Sequence, residues 1–292
     1  MAKQSEEGIS WCDETINPWW GCSRVHGSPA CEDPHDPTRS VCYAERDAKR
    51  YGYSDAPGAA HFPIWGDHTQ RRFFGDKPFE RIAAMNRRWE PAQRRGRAFV
   101  MSFGDWAEGR PDQRPYLEKL WRAAVKALHV DFLMLTKRPQ LIGMLCPFQS
   151  HDGLDFVENH FLDGLPRSTS LTTAKRLWQG TTAENQYWLD IRWPFLRDNT
   201  WDEQITWLSI EPQVGPITLP KDFLDRGPKA WVVVGGQSGA NATHFDPSWA
   251  RRLRDQSIEA GVPFHMKQMS GSTKKELKAI PEHLMIREWP SV

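Results

Sequence analysis

Apolar residues in this chain gather in short runs. Each run ends in polar residues or glycine and is followed by a stretch with helical spacing. A strand buried on both faces reads as a continuous apolar run, whereas an amphipathic helix shows apolar positions three and four apart. The first run lies around residues 8–16. The others are RAFVMSFGDW (97–106), DFLMLTKRP (131–139), RLWQGTTAEN (176–185), QITWLSIEP (204–212), KAWVVVGGQSG (229–239) and VPFHMKQ (262–268). Helices are predicted over 43–50, stopping at Gly52, and over 79–94, with Ile82, Met85 and Trp89 on one side. Others are predicted over 114–128, 186–197 and 247–260, the last stopping at Gly261, and Pro139 opens a further one. Residues 53–78 read as a long loop, 147–175 as irregular, and 270–292 as a polar tail with a short apolar end.

Strands alternating with helices predict an α/β fold with a parallel sheet. Six to seven such units suit a full or partial (β/α) TIM-type barrel better than an open doubly wound sheet. No GxGxxG follows the first strand, which argues against a dinucleotide-binding fold. We expect one domain over 1–292, with a specialised loop at about 17–50. Barrel chemistry gathers at the C-terminal strand ends. The polar residues there are Asp105, Lys137, Glu184, Glu211, Gln237, Ser238 and Lys267; some of them serve as caps and turn residues.

Composition adds boundaries. A hydrophobic fraction of 39% and a charged fraction of 26% belong to a soluble globular protein with a sizeable core. The formal net charge is +1, so there is no global basic field of the kind an obligate nucleic-acid binder carries. One local run is basic: Lys77, Arg81, Arg87, Arg88, Arg94, Arg95 and Arg97. It reads first as a solvated helix face and second as a phosphate-tracking surface. No signal peptide or membrane-length apolar run is evident, so a cytoplasmic protein with no membrane partner is expected. In a reducing compartment its cysteines are metal ligands, a nucleophile or buried small hydrophobes rather than disulfides.

Four of the five cysteines, Cys12, Cys22, Cys31 and Cys42, fall between Trp11 and Arg50. The spacing C-x8-C-x10-C over Cys22, Cys31 and Cys42 lacks the C-x2-C knuckles of zinc ribbons. Thiolates are soft ligands that suit zinc, copper(I) or an iron–sulfur cluster. Closed by His26, His35 or Cys12, the set is structural zinc. Left open, it fits a [4Fe–4S] cluster whose fourth iron takes an external ligand. Cys146 and Cys12 read as packing residues.

TINPWWGC (15–22), CYAER (42–46), LTKRP (135–139), GTTAEN (180–185), SIEPQVGPI (209–217), VVVGGQSG (232–239) and PFHMKQ (263–268) form an ordered set. In that order they resemble a phage-associated and bacterial three-cysteine-motif family that is similar to radical S-adenosylmethionine (SAM) enzymes. The resemblance runs from about residue 9 to residue 268. It implies a radical-SAM-like partial barrel, with a [4Fe–4S] cluster on Cys22, Cys31 and Cys42 and SAM on the free iron. By position it implies that Ser102 and Asp105 meet the methionyl amine, that Glu184 and Asn185 meet the ribose, and that Gly235, Gly236 and Ser238 admit the cofactor to the backbone. Tyr43 is then the aromatic near the adenine. Lys137, Arg138, Glu211, Lys267 and Gln268 face substrate or the SAM carboxylate, with Lys137, Glu211 and Lys267 as catalytic candidates. The implied activity is cleavage of SAM to a 5′-deoxyadenosyl radical for hydrogen abstraction, fed by an external electron donor. The phage association implies a nucleotide or DNA substrate, such as side-chain rearrangement in thymidine hypermodification, in the host cytoplasm if the protein is phage-encoded. One departure stands out. The family's last two cysteines lie close together as C-x2-C, whereas EDPHDPTRSV (32–41) intervenes here. Closure entropy rises only slowly with loop length, so the longer loop can still close. The competing expectations are a zinc-stabilised nucleic-acid- or partner-binding protein without catalysis, and a metal-independent barrel hydrolase or lyase that leaves the cysteines unexplained.

Overall fold

A computed structural model describes residues 9–33, 35–92, 94–148, 167–239 and 242–291. Seven strands form one sheet: β1 (Glu14–Ile16), β6 (Gly96–Val100), β7 (Val130–Thr136), β8 (Leu177–Thr182), β9 (Thr206–Ile210), β10 (Ala230–Gly235) and β11 (Phe264–Gln268). They lie side by side in chain order, and every neighbouring pair is parallel. A sheet wound in one direction with no switch point curls on itself, and here it forms a half-barrel. Two small antiparallel pairs stand apart, β2 (Trp19–Trp20) with β5 (Arg72–Phe73) and β3 (Glu32–Asp33) with β4 (Asp36–Ser40). The helices are α1 (Tyr43–Arg50), α2 (Lys77–Trp89), α3 (Arg114–Lys126), α4 (Ile142–Leu145), α5 (Arg167–Arg176), α6 (Gln186–Asp198), α7 (Lys221–Leu224), α8 (Pro247–Glu259) and α9 (Lys274–Lys278).

Alternation along the strands makes two cores. Outward residues such as Val100, Phe132, Met134, Leu208 and Val232 pack against the helices. Inward residues Phe99, Leu133, Trp178, Trp207, Trp231 and Val233 pack with Trp11 and fill the lower half of the barrel. The Trp207 and Trp231 rings lie 5.5 Å apart, and Trp11 sits 5.2 Å from Trp207. Gly180 makes the layer fit. It pairs with Trp207 across β8 and β9, and a Cβ there would stand 2.4 Å from the indole.

The open side of the half-barrel is covered by both ends of the described chain. Trp289 donates its indole N–H to the Trp11 carbonyl at 3.1 Å. Residues 286–288 run along the free edge of β11, with Met266 N–H to the Ile286 carbonyl at 2.8 Å and Glu288 N–H to the Phe264 carbonyl at 3.0 Å. The expected tail thus blunts an edge strand. Beneath it His265 is fully buried, with Ser10 Oγ 3.0 Å from its Nε2. Burial first, then Arg287, Lys267 and Arg97, holds its pKa down at about 3, against 6.5 for an ordinary histidine. Between those values the unfolded chain takes up a proton that the folded one refuses. Stability from this group is therefore complete above about pH 6.5 and falls as pH drops, by about 1.4 kcal/mol per unit. Urea unfolding at pH 7 and pH 5 is expected to show the parent losing about 2 kcal/mol more than a His265→Gln variant. Equal losses would refute it.

The helix expected over 79–94 ends at Trp89, because Pro91 follows two residues later. The basic run is correspondingly divided, and five of its seven members share three carboxylates. Arg81 and Arg88 pair with Glu14, Arg94 and Arg97 with Asp13, and Arg95 with Asp131. Arg97 and Asp131 stand near the starts of β6 and β7, at the end of the barrel away from the polar strand ends. In the region read as irregular, α5 forms from RSTSLTTAKR, a segment of low helix propensity; residues 149–166 lie outside those described. Among the described residues no helix is long and apolar enough to cross a membrane.

Candidate functional site

Above the tryptophan layer a cavity of about 170 Å³ opens at the C-terminal strand ends. Cys22, Cys31 and Cys42 line one side of it. Lys137 and Arg138 follow β7, Glu211 follows β9, and Lys267 and Gln268 end β11; Trp11, Phe99 and Leu135 line it from below.

Cys22 is set by a tight turn after β2. Gly21 has φ +110° and donates to the Phe103 carbonyl at 2.9 Å; a Cβ there would lie 2.2 Å from the Ile64 carbonyl oxygen. Only glycine fits such a position. The next residue, Ser23, is gripped by a buried carboxylate: its N–H reaches Glu108 at 2.6 Å. Glu108 also pairs with Arg71 at 2.5 Å and accepts from the Gln113 amide at 2.6 Å. Arg71 in turn donates to the Ile64, Gly66 and Thr69 carbonyls, each at 3.1 Å.

Cys31 and Cys42 are joined by the ten residues that depart from the family spacing. The described ones form the β3–β4 hairpin, with Glu32 opposite Ser40. The Val41 N–H reaches the Cys31 carbonyl at 3.2 Å, so the insertion returns to its starting point and brings the two cysteines together. Arg24 ties the hairpin to α1, donating to the Thr38 carbonyl at 3.1 Å and pairing with Glu45 at 2.9 Å. Cys42 immediately precedes α1.

The electrostatics are uneven. Burial, then Glu108 and Asp105, pushes the Cys22 thiol well above its ordinary value against the opposing pull of Arg138. Burial, then Cys31, raises Cys42, opposed by the Glu45 and Ala44 backbone N–H groups and by Lys137. A metal bound there displaces these protons. For Lys137, burial works against the charge, but Cys31, Glu184 and Cys42 outweigh it and hold its pKa above that of a free lysine. Arg138 pairs with Asp105 at 2.8 Å, donates to the Ser23 carbonyl at 2.8 Å and stands 4.0 Å from Cys22 Sγ. Among the described residues, no three His, Cys, Asp or Glu side chains converge as they stand to hold a single metal ion.

Most of the residues expected from the sequence share this cavity. Tyr43 donates its hydroxyl to the Ser102 carbonyl at 2.7 Å, and Ser102 Oγ accepts from Asn17 at 3.0 Å. Asp105 is engaged internally, by Thr136 at 2.7 Å, Ala107 N–H at 3.0 Å and Arg138. Glu211 pairs with Lys267 at 2.9 Å and accepts from Ser209 at 3.1 Å. Gly236 and Ser238 line the cavity. A Cβ on Gly236 would meet the Ser270 backbone at 2.3 Å, so its glycine serves a close approach of two chain segments. Ser238 offers its carbonyl to Arg46 at 3.1 Å.

Three expected residues do not line it. Gly235 lies behind Glu211, where a Cβ would be 2.7 Å from Oε1. Asn185 caps α6 by accepting the Trp188 N–H at 3.1 Å. Glu184 is fully buried against Ser28 and Arg192. Of the candidate fourth ligands, His26 pairs with Glu32 and is 84% exposed, His35 is exposed on the hairpin, and Cys12 bonds the Ile9 carbonyl; none lines the cavity. Cys146 is buried in the outer core. Sequence reasoning missed Arg71, Glu108, Ser28 and Arg192. Ser28 lies 156 residues from Glu184 and Arg71 lies 37 from Glu108, and although Arg192 is only 8 from Glu184, no local pattern marks it as turned inward from its helix.

No curated protein and no solved structure matches the chain. Residues 6–290 match the family described as protein of unknown function (DUF5131), and with nearly its whole length covered the chain belongs to that family.

Proposed function

We propose that this protein is an iron–sulfur enzyme of the radical SAM type, with the cluster on Cys22, Cys31 and Cys42. The observation that carries the reading is the gathering of these three thiols on one cavity, at the strand ends of a parallel half-barrel, beside two cations. The donor set fits the group. Three soft ligands would leave one iron of such a cluster open to an external ligand. When bound, a reduced cluster with SAM supplies one-electron chemistry that ends in hydrogen abstraction.

The chain's own residues do the rest. Lys137 and Arg138 hold positive charge against the cysteine-bound group and orient an incoming carboxylate. Glu211, Lys267 and Ser209 form a polar wall that orients substrate, and the tryptophan layer keeps water from entering below. The expectation of a nucleotide or DNA substrate rests on the family resemblance, since five of the seven basic residues are held in ion pairs, those of Arg95 and Arg97 at the far end of the barrel. Protein purified without oxygen is expected to contain iron and sulfide, and to release 5′-deoxyadenosine when reduced in the presence of SAM. Colourless protein with one zinc per chain overturns the proposal in favour of a zinc-stabilised binding protein.

A further inference from the structure

We infer that Glu184 is a positioning residue for Cys31, acting through Ser28. The inference rests on the reading of the cysteine loop as a metal centre.

Glu184 follows β8, a place where barrel enzymes commonly point a side chain at their ligand. Here the side chain turns away from the cavity and is fully buried. Its Oε1 accepts the Ser28 hydroxyl at 2.5 Å, and its Oε2 accepts from Arg192 at 2.8 Å. Arg192 also donates to the Thr182 carbonyl at 2.8 Å and lies 4.1 Å from the Trp188 ring. Trp188 completes the grip by donating its indole N–H to the Gly27 carbonyl at 3.2 Å. Ser28 is the hub of the turn that presents Cys31: its carbonyl accepts the Cys31 N–H at 2.8 Å and the Glu32 N–H at 2.9 Å. The end of β8 and the first turns of α6 therefore hold the Gly27–Ser28 segment, and that segment holds Cys31.

A buried ion pair is roughly neutral for stability when compared with apolar packing, so its presence calls for another role. Fixing the spacing of metal ligands is such a role, and groups one step behind the ligands control affinity through it. The other two cysteines have equivalent anchors, Glu108 on Ser23 beside Cys22 and Arg24–Glu45 at the helix that follows Cys42. Without Glu184, Cys31 would hang on its turn, on a surface hairpin and on the Trp188–Gly27 bond.

Ser28→Ala separates positioning from folding, because it removes the hydroxyl and leaves the Glu184–Arg192 pair intact. The probe is Cd²⁺ added to the metal-free full-length chain, read by the thiolate-to-metal charge-transfer band in the ultraviolet. Melting temperature is measured in parallel. Ser28→Ala is expected to melt near the parent, to bind Cd²⁺ about 10–100-fold more weakly, and to show a smaller band per bound ion. Glu184→Gln turns its one oxygen to Arg192 and its N–H₂ to the Ser28 oxygen, which keeps the link with its direction reversed, and is expected to keep the parent's band. If Ser28→Ala melts far below the parent, Trp188→Phe, which loosens Gly27 from the helix, is expected to weaken Cd²⁺ binding instead. Parent-like affinity in the folded Ser28 or Trp188 variant overturns the positioning role alone. A parent whose band is unchanged by Cys31→Ser overturns the metal-centre reading and the inference with it.

Discussion

Replacing Cys22, Cys31 or Cys42 singly with serine is expected to abolish bound iron and sulfide in protein purified without oxygen, and with them the 5′-deoxyadenosine formed on reduction. Cys12→Ala and Cys146→Ala are expected to retain both. All five cysteines are free thiols, so none of these changes removes a disulfide, and the fold stands on the sheet and its two cores. The discriminating residue is Cys31, because the insertion before Cys42 makes it the ligand least expected from family spacing. The β3–β4 hairpin nonetheless joins the two ends of that insertion, and Cys31 lines the cavity with the other two. Iron content by metal analysis decides the matter. A Cys31→Ser chain with the parent's full iron would remove Cys31 from the ligand set and with it the three-thiolate centre.

The second large effect is on stability. Arg71 is completely buried and Glu108 nearly so, at 0% and 3% side-chain exposure. Truncating one member leaves the other as an unpaired charge out of reach of water, at a cost of about 3–5 kcal/mol. Glu108→Ala is expected to lose that amount in urea unfolding, because Arg71, the Ser23 N–H and the Gln113 amide all lose their acceptor together. Arg71→Met combined with Glu108→Leu is expected to recover only part of it: no bare charge remains, but the Ser23 N–H, the Gln113 amide and the Ile64, Gly66 and Thr69 carbonyls lose these partners. A loss under about 1 kcal/mol for Glu108→Ala would mean that the pair behaves as a solvated one. The coupling to function is direct: Ser23 is the neighbour of Cys22, so the same substitution loosens one of the three thiols.

Most of the seven strands were legible because a parallel strand buried on both faces reads as a largely apolar run, and VVV before GGQSG or FLML before TKRP cannot be much else; β1, ETI, and β8, LWQGTT, are the exceptions. Their polar ends were legible for the same reason: chemistry has to begin where burial stops. Glu184 shows the limit of that logic. Its position along the barrel matched the site, but the direction of its side chain was set by Ser28 and Arg192, 156 and 8 residues away, and no local pattern encodes that choice. The Cys31–Cys42 spacing is a different case. Sequence counts residues along the chain, whereas a hairpin makes ten of them span almost no distance. The basic run from Lys77 to Arg97 looked opposed only by Glu80 and Glu90, because the carboxylates that pair with five of its arginines, Asp13, Glu14 and Asp131, lie elsewhere in the chain. Gly180 was legible only as an interruption in a strand; the indole it admits belongs to the next strand.

The tryptophan layer has a consequence for traffic. With Trp11, Trp178, Trp207 and Trp231 filling the lower barrel, the described residues close the cavity from below. Whatever binds deepest has to arrive first, and whatever binds above it has to depart before the deeper guest can be exchanged. If two reactants share this cavity, steady-state kinetics would follow a compulsory order, imposed by the indole floor beneath them.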